Sequence, residues 1–448
     1  MNDDRDTFDG AETAELQQRA SALYQSGQLE EALAVCAEII RRHPERADLH
    51  AFAGVIALKL GNNESAAGFY RAAVDRQPGF TEAHYNLGTA LLRFEKFDDA
   101  VTSFRRAVEL NPDLAPAHHN LGNALQALGQ LEEAGAAYRT TLDLAPRAAD
   151  TIRNLGMVLQ KLKRTGEAEE AFRRAIAIKP GWSSAYNNLV NLLLETGAGE
   201  AAIEACDQWL ARAPGSIEAM AFKCAALNEA GHRDEHAYLL DFDNFVLIKR
   251  WSEIPGFDSV EAFNHALAEH VRAHPTLKVP PRDDPTYHHP KLHITEELLG
   301  EETGPMAALE RMMRSAIAEY REFIAGRTGH PFLANWPARW RLSSWGVLLQ
   351  GAGNLAPHIH LDGYLGGIYY PLMPDIVGDD KNDKKKSGWF ELGRPPSELP
   401  LKAAPRIKPI KPEEGLMILF PGYYYHATVP FESKQQRISV AFDVVAED

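Results

Sequence analysis

Residues 86–122 read NLGTALLRFEKFDDAVTSFRRAVELNPDLAPAHHNLG, a segment that closes on the Asn-Leu-Gly with which it opens. The second triplet starts 34 residues after the first (120 − 86), and this period governs the first half of the chain. Prolines stand at Pro44, Pro78, Pro112, Pro146, Pro180 and Pro214. Alanines follow the same step at Ala32, Ala66, Ala100, Ala134, Ala168 and Ala202. Four residues later come Cys36, Tyr70, Phe104, Tyr138, Phe172 and Cys206, mostly aromatic. A fourth column is small, with Ala20, Gly54, Gly88, Gly122 and Gly156, and only Val190 departs from it. Small residues let antiparallel helices approach closely, an aromatic fills the space between them, and proline ends the second helix.

A 34-residue period with this pattern of small residue, Ala-x-x-x-Phe and Pro resembles the tetratricopeptide repeat, over roughly residues 12–215. A degenerate seventh unit follows, with Cys224 and Gly231 in the expected columns and His236 where alanine belongs, and reads as a cap toward the next domain. A further column holds Asn86, Asn120, Asn154 and Asn188, whereas the flanking units have Gln18, Phe52 and Phe222. Helix propensity does not select asparagine. A carboxamide carries donor and acceptor and can grip one peptide unit of an extended chain. A similar ladder lines the groove of the O-linked N-acetylglucosamine transferases, and this resemblance implies a protein or peptide partner. Local bonding within the repeats is the competing explanation of the column.

The formal charge of −15 argues against nucleic acid or an anionic membrane as partner, and 45% apolar residues with 24% charged ones fit a folded multidomain protein. Cys36, Cys206 and Cys224 lack metal-like spacing and read as small buried hydrophobes in a reducing compartment. The acidic start lacks the features of a signal peptide, and no apolar run is long enough to span a bilayer, so a cytoplasmic protein is expected.

Beyond residue 235 the register fails. DFDNFVLIKRW reads as β-prone; EAFNHALAEHVRAH and PMAALERMMRSAIAEYREFIAG read as helices. His288, His289 and His293 lie between these helices and read as loop residues, and the DDKNDKKK run (379–386) reads as a solvated loop. From Arg339 onward, short alternating runs punctuated by Gly and Pro have the texture of a compact antiparallel barrel. Within it stands Pro357-His358-Ile359-His360-Leu361-Asp362, and a second histidine, His426, follows 66 residues after His360 (426 − 360). Residues two apart on a strand share a face, so His360 and Asp362 can meet one interior point. Two histidines and a carboxylate occupy one face of an Fe(II) sphere and leave three positions open. His358 is the rival ligand; the alternative role for it is orienting a ligand. Arg437 and Ser439 come on the next strand, and a buried arginine there demands an anionic partner.

His-x-Asp, His and Arg-x-Ser in this order resemble the 2-oxoglutarate/Fe(II) oxygenases over about residues 338–445. The nearest likeness is to a bacterial group fused to tetratricopeptide repeats, matched here by HIHLDGYLGGIYY, FPGYYYHATVP and RISVAF, with Gly366 where that group usually has serine. The resemblance implies iron at His360, Asp362 and His426, with 2-oxoglutarate held by Arg437, Ser439 and Tyr370. It further implies O₂ as co-reactant and a hydroxylated product beside succinate. The expected fold is multidomain: an all-α tetratricopeptide superhelix, then an α+β domain with a double-stranded β-helix (jelly-roll) core. Expected boundaries are a flexible 1–13, the solenoid at 14–235, a helical support region at 236–337 and the oxygenase core at 338–448. The expected activity is a protein or peptide hydroxylase. A small-molecule oxygenase with docking repeats, or a non-catalytic scaffold with a cupin-like domain, stand as alternatives.

Overall fold

A computed structural model describes residues 3–280, 291–327, 329–378 and 385–447. His288, His289 and positions 379–384 of the lysine-rich run therefore lie outside the described residues. The chain forms two compact units, Met1–Ala185 and Tyr186–Asp448.

The first unit is a tetratricopeptide array of paired helices. Its first helix starts at Asp3, inside the segment that reads as flexible from sequence. Helices such as Thr81–Arg93 and Phe97–Leu110 form the hairpins, and each second helix ends two residues before a repeat proline. The small and aromatic columns prove to be two halves of one contact. A Cβ added at Gly54, Gly88, Gly122 or Gly156 would lie 2.8, 2.7, 2.5 or 2.6 Å from the ring of Tyr70, Phe104, Tyr138 or Phe172. Where the first helix does carry a Cβ, at Ala20 and Val190, the partner column shrinks to Cys36 and Cys206, and all four are buried. A side chain on the first helix thus goes with a smaller partner on the second, which accounts for the departure at Val190. A histidine column is also structural. His50, His84 and His118 sit 3.1, 3.0 and 2.9 Å from the carbonyls of Pro44, Pro78 and Pro112.

This pairing makes a prediction. Gly88→Val should destabilise the array by about 1–3 kcal/mol through overpacking against Phe104. Adding Phe104→Cys should cost less than the two single effects combined, with a coupling of about 0.5–3 kcal/mol. Denaturant melts of the four proteins check it, and simple additivity would refute the compensation.

In the second unit the helices Ile217–Ala230 and Arg233–Leu239 share one core with the sheet-bearing region: Met220, Cys224 and Leu239 pack in the cluster that holds Tyr423, Tyr424 and Phe442. All three cysteines are free and buried, and burial pushes the thiols of Cys36 and Cys206 up to about 11 and about 12. The β-prone stretch after residue 241 becomes a short helix, Phe242–Phe245, and a strand. The two helical patterns appear as Val260–Ala273 and Gly304–Ile324.

Among the described residues there are nine strands in chain order: β1 (Leu247–Arg250), β2 (Leu292–Ile294), β3 (Trp340–Gly353), β4 (Gly363–Leu372), β5 (Phe390–Leu392), β6 (Lys408–Ile410), β7 (Leu416–Pro421), β8 (His426–Thr428) and β9 (Phe431–Ala446). They build a six-stranded sheet in the order β1-β7-β4-β9-β3-β2 and a three-stranded sheet β6-β5-β8, with antiparallel pairing throughout. The two sheets fit the double-stranded β-helix expected for an oxygenase core. Among the described residues no helix is long and apolar enough to cross a membrane.

Candidate active site

The site grows from two strand alternations and one backbone bridge. On β9, Arg437, Ser439, Ala441 and Asp443 alternate with the apolar Ile438, Val440, Phe442 and Val444. Successive side chains point to opposite faces, so these four residues share one face of the strand. On β8, His426 and Thr428 share a face by the same rule. His358 joins β8 through a two-way bridge: its N–H donates to the His426 carbonyl at 3.1 Å, and the His426 N–H donates back at 3.0 Å.

These placements gather three imidazoles. The potential donor atoms of His358, His360 and His426 all lie within 4.8 Å of one another. In each ring Nδ1 faces an acceptor. His358 Nδ1 donates to the Ala356 carbonyl at 2.7 Å, and His426 Nδ1 to the Tyr424 carbonyl at 3.2 Å. His360 Nδ1 meets the Asp443 carboxylate at 3.0 Å. A carbonyl or carboxylate can only accept, so each Nδ1 carries a proton and Nε2 is the ring nitrogen left to face a metal. Burial, then the neighbouring histidines, push His426 well below the usual imidazole range, and the same causes push His358 down to about 3. Neutral imidazoles are the form that binds a metal.

The histidines open onto a cavity of about 440 Å³, counting the part open to solvent. Trp345, Ile368, Phe390 and Phe420 supply its apolar walls, and Thr428 lines it two residues from His426. Arg437 is fully buried, and its Nη1 donates to the Thr428 hydroxyl at 2.7 Å. Its Nε and Nη2 have no hydrogen-bond partner, and no carboxylate pairs with it among the described residues. The Tyr370 ring lies 5.4 Å from the guanidinium, and its buried hydroxyl is close enough to interact with Arg437 without reaching good hydrogen-bond geometry. Burial lowers the pKa of Arg437 and pushes Tyr370 up to about 12. A buried guanidinium with two unpartnered nitrogens has the chemistry to take a carboxylate.

Residues 343–443 match the family described as "Putative 2OG-Fe(II) oxygenase", and tetratricopeptide models match 18–80, 95–129, 113–180 and 159–227. The chain joins a tetratricopeptide array to a domain of this oxygenase family. A comparison with curated proteins returns no match. Among solved structures the array is similar to MamA (residues 41 to the end) from Desulfovibrio magneticus RS-1, at 22% identity over 38% of this chain and 97% of that one, with a TM-score of 0.37. It is also similar to Pseudomonas aeruginosa PilF, at 21% over 44% and 90%, with a TM-score of 0.37. YrrB, titled a TPR protein with an unusual peptide-binding site, is 26% identical over 38% and 88%, with a TM-score of 0.36.

The oxygenase family implies Fe(II), 2-oxoglutarate and O₂, and the residues present fit both the metal and the dicarboxylate. Three imidazoles offer ring nitrogens within 4.8 Å of one another, and the guanidinium offers a fork to a carboxylate. Of the residues singled out from sequence, His358, His360 and His426 are brought together. Asp362 stands apart from this group. It lies exposed on a turn before β4, which the Gly363 N–H closes by donating to the His360 carbonyl at 3.1 Å. Tyr370 and Ser439 are both buried in the oxygenase domain. Gly366 differs from serine in more than size class here: a Cβ would come within 2.9 Å of the Phe420 ring, which packs 4.9 Å from His426.

The asparagine column is half-buried throughout. Asn154 donates to Asn123 at 3.0 Å, Asn123 to Asn120 at 3.5 Å and Asn120 to the Tyr85 hydroxyl at 3.4 Å, while Arg153 donates to Asn154 at 3.1 Å. Asn86 makes no such bond among the described residues. Sequence reasoning missed Asp443, Thr428 and Asn123. The first two carried a signal, since the alternation that selects Arg437 and Ser439 runs on to Asp443, and the one that contains His426 includes Thr428.

Proposed function

We propose that the chain is an Fe(II)- and 2-oxoglutarate-dependent hydroxylase that acts on a protein or peptide held by the tetratricopeptide array. The observation that carries the co-substrate is Arg437, buried beside Thr428 with Nε and Nη2 orphaned. The distal carboxylate of 2-oxoglutarate would complete it, assisted by Ser439 and Tyr370. Metal ligands in this reading are His360 and His426, with His358 as third donor in place of Asp362. Iron, when bound, supplies the redox chemistry by which R–H, O₂ and 2-oxoglutarate become R–OH, succinate and CO₂.

The chain's own residues have the work of placement. Nδ1 contacts to Ala356, Asp443 and Tyr424 hold the three rings with Nε2 presented. Thr428 sets the direction of the Arg437 fork, and Phe390, Phe420 and Trp345 keep the cavity dry. His358 as third donor fills the coordination position that a halogenating centre leaves vacant, which favours hydroxylation. Anaerobic titration of Fe(II)-loaded protein with 2-oxoglutarate tests the reading. A weak visible charge-transfer band is expected; bound iron without a band would point to a cupin-like metal centre instead.

Asn86, Asn120, Asn154 and Asn188 are the proposed grip on the substrate backbone. The hydrogen bonds among Asn120, Asn123 and Asn154 favour a second reading, in which the column stiffens the array and the substrate is a small molecule. Replacing the four ladder asparagines by alanine separates the two. A peptide hydroxylase should lose at least about tenfold in kcat/KM at unchanged kcat, which corresponds to about 1.4 kcal/mol of binding. Unchanged kcat/KM would sink substrate capture.

A further inference from the structure

Asp443 is buried, with 6% of its surface exposed, and the only hydrogen bond or ion pair its carboxylate makes among the described residues is with the His360 ring. Both carboxylate oxygens lie 3.0 Å from Nδ1. A buried carboxylate is expensive unless it is paired, and here the His360 ring is the group it pairs with. The backbone makes room for it. A Cβ on Gly363 would lie 2.7–2.9 Å from the Asp443 carboxyl group, and a Cβ on Gly422 would fall on the Gly363 carbonyl oxygen. Gly363 therefore leaves the space that the carboxylate occupies, and Gly422 lets the Gly363 backbone come close. Trp345 packs edge-on against the other side of His360, with ring centroids 5.0 Å apart.

We infer that Asp443 is the positioning carboxylate of the metal centre: it holds His360 by Nδ1, fixes Nε2 as the donor and lends the centre its negative charge through the ring. This rests on the reading that the three histidines bind a divalent metal. In that reading the ligands are three neutral imidazoles, and no carboxylate touches the metal. The charge that a directly bound aspartate would bring comes instead from the far side of one histidine. Such carboxylate–histidine pairs typically carry 10- to 100-fold in metal affinity. Gly363 is the residue that admits the carboxylate.

The test is anaerobic Co(II) and Fe(II) binding to full-length protein, with the visible absorption of the Co(II) form as a structural readout. Asp443→Ala should weaken metal binding by about 100-fold and shift the Co(II) spectrum. Asp443→Asn keeps an acceptor for Nδ1–H but removes the charge, and should lose about tenfold. Gly363→Ala, which displaces the carboxylate without altering it, should follow Asp443→Ala. The near-isosteric asparagine variant keeps the test valid if the alanine variant folds poorly. Wild type that binds metal, with all three variants binding as tightly and with the same spectrum, overturns this inference alone. Wild type that binds no divalent metal overturns the metal centre along with it.

Discussion

Arg437→Met should abolish 2-oxoglutarate binding at working concentrations while leaving the co-substrate-free protein at least as stable as wild type. The two effects have opposite signs for one reason. The guanidinium is fully buried, yet only Nη1 has a partner, the Thr428 hydroxyl at 2.7 Å. Nε and Nη2 lack partners, so the protein without co-substrate bears the desolvation of an incompletely paired cation. Burial lowers the Arg437 pKa, which has the same origin. Methionine fills similar volume without charge, and replacing a buried ion by a well-packed apolar residue is often neutral or stabilising. Once a carboxylate occupies the fork, the account reverses. Truncating one partner of a buried charge pair costs about 2–5 kcal/mol, so affinity should fall by at least about 30-fold. Equilibrium dialysis of 2-oxoglutarate and a thermal melt of the same two proteins give both signs. A strong loss of melting temperature would mean that Arg437 is structural; undiminished affinity would remove it from the co-substrate site.

The tetratricopeptide half was legible because it repeats itself. Gly88 and Phe104 are ambiguous as single residues, but the same pair at Gly54/Tyr70, Gly122/Tyr138 and Gly156/Phe172 turns the ambiguity into a column. The end of the array was less legible. Met220 and Cys224 share a core with Tyr423 and Tyr424, and nothing in a helical pattern reveals which distant strand covers it. Strand β9 was legible in part, since alternation orients Arg437 and Ser439. Asp443 lies on the same face, but its role depends on His360, 83 positions earlier in the chain (443 − 360). A contact of that separation leaves no local trace.

The ligand set depends on where a strand begins, and strand boundaries are the least certain part of a sequence reading. His-x-Asp was assigned a period of two on the assumption that residues 360–362 are extended. They form a turn instead, with strand geometry resuming at Gly363, so the shared-face argument does not reach Asp362. The extended backbone lies two residues earlier, where His358 bridges to His426 in both directions. That bridge brings the rings of His358 and His426 to 4.2 Å between centroids.

The expected consequence is a reversal of the usual variant phenotypes. His358→Ala should lose more metal affinity than any outer partner carries, above about 100-fold, because one of the three imidazoles disappears. Asp362→Ala removes an exposed side chain that makes no hydrogen bond or ion pair among the described residues, so its effect should stay within about 0.5 kcal/mol, or roughly twofold. Anaerobic Fe(II) binding to the two variants decides between a three-histidine site and a His-x-Asp site, with His426→Ala as the reference for a lost ligand. If Asp362→Ala is the variant that releases iron, the turn must open into strand when metal binds, and His358 reverts to orienting its neighbour. If His358→Ala releases it, the turn is rigid. The exposed Leu361 and Asp362 are then free to vary with the substrate without disturbing the metal.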